Sequence, residues 1–152
     1  MDGPRRPDRR SDARERALYL LYEAQAKGIS PVDALELQIV EPDEMTNLLV
    51  RGVTTHRQRL DDAIEARATG WPLARMPVLD LNVLRLGAFE LAERPDVPVA
   101  VVIDEAVELA KRFSTDDSGR FVNGVLSALA TELRRPPPDS GETGRAERDP
   151  ST

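Results

Sequence analysis

The chain has 152 residues, 40% of them hydrophobic and 32% charged, with a formal net charge of −6 and no cysteine. That length holds one core of ordinary size and excludes a second full domain. The missing cysteines exclude a disulfide framework, a thiolate zinc site and a cysteine nucleophile, and permit a reducing cytosol. No stretch approaches the roughly 18 apolar residues of a membrane span, and no apolar segment follows the opening MDGPRRPDRR to make a leader of it. The expected protein is soluble, cytoplasmic and without a membrane anchor.

The charge is uneven along the chain. Residues 1–16 sum to +2, residues 17–135 to −6 and residues 136–152 to −2. Arginine outnumbers lysine 19 to two throughout, which reads as a compositional habit. The local sign reversal is a separate matter: a basic front on an acidic body is the charge pattern a nucleic-acid contact needs.

Both ends are expected to be disordered. Residues 1–10 make a flexible basic arm, and residues 136–152, opening on Pro136, Pro137 and Pro138, make a polar tail without a large apolar side chain. Between them residues 11–135 read as one helical domain. Asp12 with Glu15 forms a capping box, after which Ala13, Ala17, Leu20, Leu21 and Ala24 share a stripe that Gly28 ends. Ser30 and Pro31 start a short second helix with Val32, Leu35 and Ile39 facing inward. A long third helix is predicted from Pro42 to Thr69 on Met45, Leu48, Leu49, Val53, Leu60 and Ile64, closed by Gly70. Trp71, Leu73 and Met76 lie between Pro72 and Pro77, room for a turn or two.

The segment Leu79 to Arg94 has almost no polar face, so it is either central or covered by something else. VPVAVVI (Val97–Ile103) is β-branched enough for a strand. Helical periodicity overrides that, because Val99, Val102, Ile103, Ala106, Val107, Leu109, Ala110 and Phe113 form one stripe. After the polar break Ser114 to Gly119, Phe121, Val122, Val125, Leu126, Leu129 and Leu133 define a last helix ending near Arg135. Six or seven helices and no strand give an all-α bundle.

Catalytic chemistry is thin. His56 is the only histidine, no HExxH pattern or glycine-rich nucleotide loop occurs, and adjacent carboxylates such as Asp104 and Glu105 diverge around a helix rather than forming a dyad. No enzyme activity, metal or cofactor is expected. What the sequence does offer is binding chemistry. Arg14, Leu18 and Tyr22, spaced by four, share a side of the first helix that Arg9 and Arg10 extend, joining guanidinium groups to a phenol ring as single-stranded RNA binding requires. Arg120, Asn123, Gly124 and Ser127 face away from the last apolar stripe, with Gly124 leaving a gap for a close backbone and Asp117 or Ser118 capping the helix.

The segments RRSDARERALYLLYEAQ (Arg9 to Gln25), LDLNVLRLGAFEL (Leu79 to Leu91), Val97-Pro98 and VIDEAVELAKRFSTDDSGRFVNGVL (Val102 to Leu126) together resemble the NusB family of transcription antitermination factors, over roughly residues 9–133. The order IDEAVELAK, polar turn, FVNGVL is the most specific part. The resemblance implies an all-helical bundle of two packed three-helix units that binds the boxA element of ribosomal RNA leader transcripts. It implies partners as well: a small-subunit ribosomal protein, NusE, and the elongating RNA polymerase with other Nus factors, the complex suppressing premature termination. It places Arg9, Arg10, Arg14 and Tyr22 on the RNA-contacting start, and Arg120 and Phe121, with Asp117 and Asn123, on a second RNA-facing segment. Asp80, Arg85 and Phe89 fall on the helix whose neighbourhood receives the ribosomal protein, which would account for its missing polar face.

Two departures stand out. Ser11 or Asp12 occupies a position where the family often has a third basic residue, weakening RNA affinity, and Leu81 replaces a frequent basic residue near the partner footprint. The rival reading is a helical protein-interaction scaffold without RNA specificity. A similar helical domain fronts certain ribosomal RNA cytosine methyltransferases, but no cofactor-binding catalytic domain follows here. Either a monomer or a homodimer is compatible with the sequence.

Overall fold

A computed structural model of the chain describes residues 9–134. Among the described residues are seven α-helices and one 3-10 turn, and no strand. In order these are α1 (Arg9–Lys27), α2 (Pro31–Glu36), α3 (Glu44–Thr55), α4 (Arg57–Arg67), the 3-10 turn Leu73–Arg75, α5 (Val78–Glu93), α6 (Val99–Phe113) and α7 (Asp116–Leu133). The remainder of the expected arm and the tail at 136–152 lie outside the described residues. Arg9 and Arg10 do not belong to a flexible arm; they open α1. Asp12 is therefore inside the first turn, where its charge complements the helix dipole, instead of capping it.

Local chemistry explains most boundaries. Gly28 adopts φ 70°, and the bonds Gly28 N–H to Gln25 O (3.3 Å) and Ile29 N–H to Ala24 O (3.0 Å) close α1 in a Schellman motif. Ser30 caps α2 by accepting from the Asp33 N–H at 3.0 Å, with Pro31 at the first helical position. Because α2 stops at Glu36, the helical phase that would turn Ile39 inward is lost, and Ile39 is fully exposed. Arg16 holds this loop by donating to the Val40 carbonyl at 2.7 Å.

The long third helix is in fact two. His56 leaves helical geometry at φ −102° and ψ 15°, separating α3 from α4. Two neighbours favour the break: Thr54 donates its hydroxyl to the Val50 carbonyl at 2.8 Å, and the His56 ring stacks on Phe89 with centroids 6.1 Å apart. The apolar stripe hinted at it, since Val53 is followed by no apolar residue at 56 or 57 and resumes only at Leu60.

α1, α2 and α3 pack on one another, as do α5, α6 and α7, with α4 laid against α5 and α7. α5 joins the two units by touching α1, α3, α4, α6 and α7. Every residue from Asp80 to Leu91 is buried. Close approach requires glycine twice: a Cβ on Gly52 would lie 2.2 Å from the Phe89 ring, and one on Gly87 would lie 2.7 Å from Leu126. The apolar circumference of α5 is thus satisfied within the chain, which corrects the idea that a partner covers it.

The end of α7 has a structural task. The Arg134 guanidinium donates to the carbonyls of Leu91 (2.9 Å), Glu90 (3.0 Å), Arg94 (3.1 Å) and Val97 (2.7 Å). It thereby ties the end of α5 to the loop that follows it, supplying a donor to the Leu91 carbonyl in the last turn, where the helix has no N–H to offer.

Candidate functional site

Arg14 lies on the buried side of α1, 4% exposed. Its Nε donates to Glu90 Oε2 at 2.7 Å and its Nη2 to Glu90 Oε1 at 2.8 Å, a two-pronged pair across to α5, and Nη1 reaches Glu105 Oε1 at 3.5 Å. Arg14 therefore bolts the two helical units together and presents no guanidinium to a ligand, contrary to its expected place on the RNA face. Leu18, expected beside it on that face, is also buried. Arg9 and Arg10 are exposed.

α6 supports both expected RNA-facing segments. Against α1, Ser11 donates to Glu105 at 2.7 Å and Arg112 to Glu15 at 3.1 Å, so the two helices run in the same direction. Against α7, the stem of Lys111 lies over Gly119, where a Cβ would meet it at 2.6 Å. Lys111, Asp116, Arg120 and Asn123 line one depression of about 300 Å³. The other end of this surface is acidic: Asp104, Glu105 and Glu108 line a second depression with Asn123.

α7 begins where Thr115, not Asp117 or Ser118, supplies the cap, its Oγ1 accepting from the Ser118 N–H at 3.0 Å. Asp117 is left exposed and pairs with Arg120, also exposed. Asn123 is exposed and accepts from Ser127 Oγ at 3.3 Å. Phe121 is half-buried against Trp71, with ring centroids 4.6 Å apart and planes tilted by 59°. Gly124 faces open space.

Tyr22 belongs elsewhere. It is 44% exposed and, with Tyr19, Leu18, Leu79 and Phe113, lines an apolar groove of about 690 Å³ whose polar edge is Asp12, Glu15 and Arg16. Nothing in the spacing singles out Tyr19, and periodicity places Phe113 in the buried stripe of α6, whereas both line this groove. The expected partner residues lie beneath the surface. Asp80 is 1% exposed and accepts from Ser118 Oγ at 2.7 Å. Arg85 pairs with Asp61 through Nε at 2.7 Å and Nη2 at 3.0 Å, and Phe89 fills the space above Gly52. These three side chains hold helices together and do not reach a partner directly. Leu79, beside Asp80, is the α5 residue that does line the groove.

Among the described residues no group of His, Asp or Glu is arranged to hold a metal ion, and no helix is long and apolar enough to cross a membrane. Fold and surface define a helical protein that carries a depression lined by Lys111 and Arg120 and, apart from it, an apolar groove lined by Tyr19, Tyr22, Leu79 and Phe113. The model of the NusB family matches residues 11–131. Transcription antitermination protein NusB of Saccharopolyspora erythraea is 54% identical over 127 residues, covering 80% of this chain and 86% of that one. That of Anaeromyxobacter dehalogenans is 49% identical over 141 residues, covering 88% and 97%. The solved structure of T. maritima NusB superposes with a TM-score of 0.75 at 31% identity, covering 95% of this chain and 99% of that one. A crystal structure of antitermination factors NusB and NusE in complex with dsRNA gives 0.69 at 28% identity, covering 81% and 96%. The chain belongs to the NusB family.

Proposed function

We propose that the chain is a transcription antitermination factor that binds boxA RNA of ribosomal RNA leader transcripts together with the ribosomal protein NusE. On this reading it joins the elongating RNA polymerase with other Nus factors and suppresses premature termination. The observation that carries the reading is that α6 is bonded to both arginine-bearing segments: Glu105 and Arg112 reach Ser11 and Glu15 of α1, one to six residues from Arg9 and Arg10, and Lys111 lines one depression with Arg120 of α7. Cations for phosphate, the Phe121 ring for a base and the Asn123 amide for a base edge are the groups that unpaired RNA engages. No reaction is involved: the chain is an adaptor of the cytoplasm, with residues 11–135 as the binding domain and no cofactor.

The Tyr19, Tyr22, Leu79 and Phe113 groove is the face for the ribosomal protein, because exposed aromatics gathered into one apolar depression suit a protein partner. Asp104, Glu105 and Glu108 repel phosphate beside the cationic groups, so intrinsic RNA affinity is modest and rises when NusE is bound. The test is binding to a boxA oligonucleotide and a scrambled one, with and without the ribosomal protein, at several salt concentrations. Tighter boxA binding, strengthened by the partner, is the expected result; equal affinity for both under all conditions overturns it. A protein-interaction scaffold without RNA specificity is favoured by one observation, that Arg14 and Arg120 are paired within the chain. The double change Arg9→Glu, Arg10→Glu separates the readings, since only an RNA binder loses function with it.

A further inference from the structure

We infer that Trp71 is a second base-stacking platform of the RNA face, extending it from α7 onto the turn between α4 and α5 and receiving an unpaired nucleobase. The inference rests on the RNA reading above and adds a residue to it. Trp71 follows Gly70, whose φ of 77° turns the chain sharply after α4, and its N–H is bonded to the Ala68 carbonyl at 3.0 Å. Pro72 then fixes the backbone on the other side. The indole lies at the surface, 36% exposed, where a large apolar ring gains little by remaining in water.

Three features point to a base as its ligand. The indole leans on Phe121 at 4.6 Å, making two aromatic rings contiguous at the start of α7. On α7, Asp117, Phe121 and Gly124 stand at i−4, i and i+3, so the aromatic pair borders an exposed strip whose floor at Gly124 is empty. On its far side Trp71 opens into a depression of about 330 Å³ with Arg75, Glu65 and Pro72, and Arg75 is exposed. Arg75 lines that depression beside the indole, and Arg120 is the residue before Phe121; guanidinium groups next to aromatic rings are the combination that holds a sugar-phosphate chain while its bases stack.

Trp71 is the only tryptophan in the chain, so its emission reports on this site alone. The experiment titrates the full chain with a labelled boxA oligonucleotide at low salt, reading anisotropy of the RNA and emission of Trp71 together, and repeats the anisotropy with Trp71→Phe and Trp71→Ala. Stacking predicts quenching that saturates with the anisotropy, near-normal binding by W71F, and a loss on the order of tenfold in W71A with an unchanged salt slope, because no charge is removed. Saturated RNA binding with unchanged emission overturns the inference and leaves the RNA reading standing. So does quenching with unaltered W71A affinity, which would place the RNA near the ring but not on it. If the oligonucleotide binds neither to the chain alone nor to the chain with the ribosomal protein added, the RNA reading falls and the Trp71 site with it.

Discussion

Arg10 and Arg14 stand one helical turn apart, and the fold exposes the first and buries the second. Arg10 is exposed at the head of α1, whereas Arg14 is inserted between the two helical units and paired with Glu90, itself 2% exposed. Removing one partner of such a buried pair leaves the other charge uncompensated, so Arg14→Met is expected to cost about 3–5 kcal/mol in urea denaturation. Arg14→Met with Glu90→Leu recovers most of that loss, since neither charge is then stranded. The inward course of Arg14 was legible in principle: Leu18 and Leu21 flank its direction on the helix, and both are buried. Spacing by four alone puts Leu18 at the surface and so turns Arg14 outward with it. Gly124 offers the converse test. Its Cβ position is empty, so Gly124→Ala is expected to stabilise α7 by about 0.5–1 kcal/mol through helix propensity while weakening boxA binding. Thermal melts and RNA titration on the same variant read the two opposed signs.

At the scale of elements, helix existence followed from periodicity, and α6 has the bounds its stripe predicts, Val99–Phe113. Breaks and caps were less legible, because they depend on contacts distant in sequence. The α3–α4 break involves Phe89 on α5, and Thr115 caps α7 where the sequence points to Asp117 or Ser118. The cap of α3 carries a pH dependence. The side chain of Thr46, together with its backbone N–H at 2.8 Å, holds the Asp43 carboxyl below its ordinary value. A carboxyl lowered by folding stabilises the fold fully above its unfolded value, and that contribution is lost as pH falls through the lowered one. Asp43→Asn keeps a capping oxygen but does not titrate, so the variant is expected to lose less stability than the parent as pH is lowered through the carboxylate range. Paired urea denaturations across that range check it; parallel curves would refute it.

Over the whole molecule, the proposed RNA binding depends on the distribution of charge more than on its net value. The body is acidic, and the cationic residues Lys111 and Arg120 lie next to Asp104, Glu105 and Glu108 on the surface of α6 and α7. Glu108→Gln is therefore expected to tighten RNA binding several-fold at low salt and by little at high salt, as screening removes the repulsion. The unevenness of charge and the all-helical architecture were both apparent from residues alone. The split between a cationic face and an apolar groove was not, because only folding shows that Tyr22 turns away from Arg14 and toward Leu79 and Phe113. The most direct test of the account is a map of backbone amide shifts on titration with boxA RNA. Changes concentrated at Arg9, Arg10, Lys111 and Arg120 to Gly124, with the Tyr19 and Tyr22 groove silent until the ribosomal protein is added, are the predicted result. Shifts confined to that groove, or absent from the head of α1 and the start of α7, would contradict it.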